Sequence, residues 1–237
     1  MPLNSCFRPL RLLNLLNVAK AKEPITIDNI RRAHEARRDE IRARMAEFEA
    51  IRDAGSNAVF WEEMVFCFFT GGCSARMGLN SISAVRPLLM NGTQEELAGA
   101  LSGVHRYPNA RARYIVASRE FLLEHCALEL RSILDGFKCG QERRDWLVRE
   151  KGIKGLGYKE ASHYLRNVGY KGYAILDKHV LNCLVELKII DEAKPPNTRS
   201  RYLTIEDKVR KLADRSGVDF DDLDLVLWSM KTGVILK

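Results

Sequence analysis

Helical periodicity runs through most of the chain, and strand periodicity almost nowhere. In residues 29–53, "NIRRAHEARRDEIRARMAEFEAIRD", Ile30, Ile41, Met45, Phe48 and Ile51 fall near helical spacing among many charges. They predict one long amphipathic helix. Residues 57–70, "NAVFWEEMVFCFFT", are apolar nearly all round, which predicts a buried helix ending at Gly71-Gly72. A turn is expected over "GGCSARMGLN", then a helix over "SISAVRPLLM" with a kink at Pro87. "TQEELAGALS" opens with Thr93 and Glu96 at capping-box spacing. Residues 109–134 predict one or two further helices, and 139–150 a short one. The only β-like stretch is "GYAIL" at 172–176, expected to be merely extended. A helix follows over "KHVLNCLVELKI", and "EAKPPNTRS" at 192–200 reads as a loop before the last helices. The pattern predicts an all-α fold.

Composition narrows the class. The 237 residues are 46% hydrophobic and 29% charged, enough for one large domain or two small ones sharing an interface. No apolar run reaches the ~18 residues a membrane span needs. The N-terminal "MPLNSCFRPLRLLNLLNVAK" is broken by Pro9 and lacks a small-residue cleavage site, so an arm or short helix is expected there rather than a signal peptide. The net charge of +7 suits a polyanionic partner without identifying one. Cys6, Cys67, Cys73, Cys126, Cys139 and Cys183 lack zinc-knuckle spacing, and most lie in apolar surroundings. A reduced, intracellular chain without structural disulfides is expected.

The chemistry concentrates after residue 150. "GIKGLGYKEASHYL", residues 152–165, places Gly155 and Gly157 around Leu156, with Lys151, Lys154 and Lys159 nearby. A Gly-apolar-Gly turn between two short helices makes a helix-hairpin-helix. Its glycines let backbone N–H groups approach a ligand, and the second helix aims its N-terminus at the same spot. Such a site suits a DNA phosphate and reads no sequence. Packing of two helices is the plainer explanation of the same glycines. Lys159 stands in the first turn of the second helix, where the positive end of the dipole acts against an ammonium. The neutral amine is the nucleophilic form. Asp177 closes "YAIL" and precedes a helix, a good N-cap position. On local grounds Lys159 could equally be a solvated helix lysine, and Asp177 only a cap.

The stretch "GIKGLGYKEASHYLRNVGYKGYAILDKHVL" resembles the signature of helix-hairpin-helix DNA glycosylases, and most closely the type-2 8-oxoguanine DNA glycosylase/AP lyases. "EEMVFCFFTGGCSARMGL", "YPNARARYIV" and the C-terminal "WSMKTGVILK" agree, so the resemblance covers most of residues 60–237. It implies an all-α fold of two helical subdomains with a DNA and base cleft between them. The expected divisions are 1–28 as an N-terminal arm or short helix, 29–70 plus 160–237 as a terminal subdomain, 71–150 as a central one, and 151–168 as the hairpin. It implies Lys159 as the nucleophile at C1′ and Asp177 as its assistant. Trp228, Tyr107 and Lys237 are implied in base recognition, the last through the terminal carboxylate. Gly155, Gly157 and His179 are implied at DNA phosphates, and the main-chain carbonyls of Lys151, Ile153 and Leu156 at a sodium or potassium ion. No cysteine follows Cys183, so the iron–sulfur cluster of endonuclease III relatives is not expected. The implied partner is damaged double-stranded DNA, handled by a monomer in the cytoplasm or nucleoid with no membrane contact. Two other readings stay open: a non-catalytic helix-hairpin-helix DNA-binding module, and a related glycosylase for another lesion.

Overall fold

The computed structural model describes residues 24–236. They form α1 (Ile27–Ala36), α2 (Arg38–Ala54), α3 (Asn57–Thr70), α4 (Ala75–Val85), a 3₁₀ turn (Arg86–Leu88), α5 (Gln94–Leu101), α6 (Pro108–Cys126), α7 (Leu130–Asp135), α8 (Gly140–Arg149), α9 (Tyr158–Asn167), α10 (Lys178–Glu186), α11 (Arg199–Ser216) and α12 (Phe220–Thr232). No strand occurs among the described residues, and 173–176 is a connection without regular structure.

Side-chain caps set many of the boundaries. Thr93 and Glu96 form the capping box that starts α5, with Thr93 N donating to Glu96 Oε2 at 2.8 Å. Ser74 caps α4, so that helix begins inside the stretch expected to be a turn. Pro87 produces the 3₁₀ turn where a kink was expected. The helix expected over 29–53 is two helices broken at Arg37. No proline or glycine breaks it. Arg37 leaves helical geometry, and its guanidinium donates to Gly233 O at 2.8 Å.

Apolar residues gather in two clusters. The first joins α3 through α9 around the aromatic side chains of Phe60, Trp61, Phe66, Phe68 and Phe69. Helix α3 is apolar nearly all round, as suits a helix surrounded by α4, α6, α7 and α9. Each fully buried phenylalanine contributes roughly 1.5–3 kcal/mol. The sequence grouped 57–70 with the terminal helices, whereas the side chains of α3 pack in this first cluster. The second cluster joins α1, α2 and α10–α12, centred on Ile30, Ile41, Leu181, Leu184, Tyr202 and Leu227.

Helix α9 lies at the seam. Ala161, Tyr164 and Leu165 belong to the first cluster, while Arg166 pairs with Asp224 of α12 and Ser162 touches Tyr202 of α11. A buried ion pair crosses the same seam. Arg144 of α8 donates to Glu206 of α11 at 2.6 and 2.8 Å, beneath the rings of Tyr158, Tyr173 and Tyr202. Removing one partner of such a pair strands a buried charge and costs about 3–5 kcal/mol.

Candidate active site

The hairpin between α8 and α9 is seated on one face of α6. Tyr114, Ser118 and Phe121 follow helical spacing and meet the turn in order. A Cβ on Gly155 would stand 2.6 Å from Tyr114 Cδ2, Lys154 N donates to Ser118 Oγ at 2.8 Å, and Gly152 lies against Phe121. Gly155 also has φ +78, a left-handed conformation that glycine adopts freely. Close packing therefore explains Gly152 and Gly155 directly. Ile153 and Leu156 bury their side chains in the first cluster. Gly157 is different. It is exposed, lies on the cleft described next, and is an N-cap without a side chain to cap with. The first N–H groups of α9 thus have no side-chain cap.

A cleft of about 810 Å³ opens between the end of α3, the N-termini of α9 and α10, and α12. Lys159 enters it from the first turn of α9. Its Nζ donates to Thr70 O at 3.3 Å and Thr70 Oγ1 at 3.4 Å, and lies 3.3 Å from Glu160 Oε1. The negative end of α3 thus receives the ammonium. Asp177 lies on the same cleft as the N-cap of α10, its Oδ1 accepting from Val180 N at 2.8 Å. His179 and Trp228 also line it, with rings edge-to-face at 6.2 Å and 87°.

Asp224, one helical turn before Trp228, also lines the cleft and is 14% exposed. Burial pushes its carboxyl up to about 6; Arg166, 3.4 Å away, pulls it down, and the charge of Asp177 raises it. Arg166 is itself buried, and its guanidinium lies 4.7 Å from the centre of the Phe48 ring.

The structure brings Lys159, Asp177, His179, Trp228 and Gly157 together on one cleft. Tyr107 is not on the cleft wall; it is 43% exposed and flanked by the guanidinium groups of Arg106 and of Arg111, which reaches Gly71 O at the end of α3. Gly155 is exposed on the hairpin and is not on the cleft wall. Lys237 lies outside the described residues, as does Cys6. The main-chain carbonyl of Lys151, expected at a sodium or potassium ion together with those of Ile153 and Leu156, accepts from the ammonium of Lys154. Among the described residues no cluster of His, Cys, Asp or Glu could hold a metal ion, and no helix is long and apolar enough to cross a membrane.

Thr70, Glu160, Arg166 and Asp224 escaped the sequence reading. The signals available were weak: Glu160 adjoins Lys159, and Asp224 shares a helical face with Trp228.

A family description for 8-oxoguanine DNA glycosylase matches residues 41–218. An 8-oxoguanine DNA glycosylase/AP lyase of Korarchaeum cryptofilum is 40% identical over 201 residues, covering 84% of this chain and 91% of the relative. The 8-oxoguanine glycosylase/lyase of Methanocaldococcus jannaschii, solved in complex with a 15mer DNA containing 8-oxoguanine, superposes with a TM-score of 0.81 at 34% identity, covering 89% of this chain and 99% of that one. The 8-oxoguanine DNA glycosylase of Thermotoga maritima gives the same TM-score and identity, covering 89% and 98%. Matches of this extent, across both apolar clusters and the cleft between them, leave one conclusion: the chain belongs to the 8-oxoguanine DNA glycosylase family.

Proposed function

We propose that this protein excises 8-oxoguanine from duplex DNA and nicks the strand at the resulting abasic site. The observation that carries the reading is the convergence of Lys159 and Asp177, from two helix N-termini, on a cleft also walled by Trp228. A base inside a duplex hides its glycosidic bond, so the nucleotide is flipped into the cleft at a cost of a few kcal/mol. The net charge of +7 and the uncapped start of α9 beside Gly157 favour the phosphates that flank it. Trp228 offers a flat face for the flipped base, and the ring of His179 stands edge-to-face with it, within reach of a phosphate that enters the cleft.

Lys159 is the nucleophile. Once its ammonium has given a proton to water, Nζ bonds to C1′ as the bond from C1′ to the base breaks, and the departing base takes up one of the two protons left on that nitrogen. Asp177 stabilises the positive charge that develops on the sugar. Ring opening and loss of the second amine proton leave a Schiff base between Lys159 and C1′. Loss of a proton from C2′ then expels the 3′ phosphate, and water releases the lysine.

The test is a panel of duplexes carrying one 8-oxoguanine, one oxidised pyrimidine, one alkylated purine, one preformed abasic site, or no lesion. Strand nicking is read without added alkali. The 8-oxoguanine and abasic duplexes are expected to be cut and the undamaged one spared. Preference for the pyrimidine or the alkylated purine would assign another substrate, and binding without nicking of any duplex would reduce the protein to a DNA-binding module.

A further inference from the structure

The segment that delivers Asp177 has no strand partner to fix it. Its backbone is instead held by side chains of α11. Ala174 N donates to Glu206 Oε1 at 2.9 Å, and Tyr202 Oη donates to Ala174 O at 2.7 Å. Leu176 N, adjacent to Asp177, donates to Tyr202 Oη at 3.4 Å. The same two side chains reach the helix of Lys159. Tyr202 Oη lies 3.2 Å from Ser162 Oγ, which is one helical turn after Lys159. Ser162 Oγ accepts from Arg144 Nη1 at 3.1 Å, and Arg144 holds both oxygens of Glu206. Arg144, Ser162, Tyr202 and Glu206 are all buried.

We infer that Tyr202 and Glu206 are positioning residues that, through Ser162 and Arg144, fix the carboxylate of Asp177 relative to the amine of Lys159. The inference rests on the roles proposed above for those two groups. The physical ground is that a displaced reacting group loses rate steeply while ground-state binding changes little. Each backbone polar group of Ala174 is bonded to an α11 side chain, so the position of the segment follows α11. The tyrosine has a single proton to donate, and Ala174 O is its shorter acceptor. Deleting that one oxygen leaves the ring packed but takes the partner from Ala174 O and from Leu176 N, so the segment keeps only the bond from Ala174 N to Glu206.

The experiment is a cycle of Tyr202→Phe, Asp177→Asn and the double variant. It is read by single-turnover excision at saturating enzyme, binding to a duplex with a tetrahydrofuran abasic analogue, and thermal melting. Tyr202→Phe is expected to bind the analogue within about twofold of wild type and to excise at least tenfold more slowly. In the Asp177→Asn background the same change is expected to cost less than about twofold, because the group it positions is already disabled. A multiplicative loss in both backgrounds would show general damage and overturn the inference, as would full-rate excision by Tyr202→Phe. If Asp177→Asn itself excises at the wild-type rate, the role of Asp177 fails first, whatever Tyr202 does. If Tyr202→Phe does not fold, Glu206→Asp, which keeps a carboxylate for Arg144 and draws it back from Ala174 N, goes through the same cycle, with the same expected and overturning results.

Discussion

A Cβ on Gly152 would stand 2.1 Å from Cγ of Phe121, so the hairpin turn lies directly on the ring of α6 beneath it. Gly152→Ala is therefore overpacked and is expected to lose about 1–3 kcal/mol in chemical denaturation. Phe121→Ala opens the space the new methyl needs, so the double variant should lose clearly less than the sum of the singles. Additive losses would mean that the turn does not depend on this contact.

Asp177 both caps α10 and faces the cleft, and the two duties separate by substitution. Asparagine caps about as well as aspartate, so Asp177→Asn should stay within about 1 kcal/mol of wild-type stability. Excision should nevertheless fall by roughly 10²–10⁴, as expected for loss of a group acting in the transition state. Stability is read by urea titration and excision in a single turnover. If the two fall together in proportion, capping is the whole role of Asp177.

The carboxyl of Asp224 is raised to about 6 by burial. With the folded value above the unfolded one, its contribution to stability is fully present below about pH 4 and is lost as pH rises through about 6. The change is on the order of 2–3 kcal/mol across that window. Asp224→Asn should remove it, so the stability difference between variant and wild type should shift in the variant's favour from pH 4 to pH 7. The pull of Arg166 on the ionised carboxylate is already contained in the value of about 6. A difference that stays flat with pH would contradict the burial of this carboxyl.

The helices were readable where one local rule sufficed. Helix α3 announced itself by being apolar nearly all round, and α5 by the Thr93–Glu96 capping box. The break at Arg37 carried no local mark, because its guanidinium meets Gly233 O near the other end of the chain. Lys159 and Asp177 stood out only through the family resemblance of the stretch that carries them, since local rules left a solvated lysine and a helix cap open; the two share a cleft. Arg166 and Asp224 looked like ordinary helix charges, since only the packing of α9 against α12 makes them a buried pair. The turn glycines Gly155 and Gly157 were read both as room for a ligand and as packing; a Cβ on Gly155 would meet Tyr114 of α6, as one on Gly152 would meet Phe121.

The central claim is that Lys159 bonds covalently to the sugar of the lesion nucleotide. The most direct measurement is borohydride reduction during turnover on an 8-oxoguanine duplex, with the cross-linked residue identified by peptide mass analysis. Wild-type protein should be trapped on DNA through Lys159, and Lys159→Gln should bind the same duplex yet give no cross-link. A cross-link that persists in Lys159→Gln, or that maps to another residue in the wild type, would contradict the account.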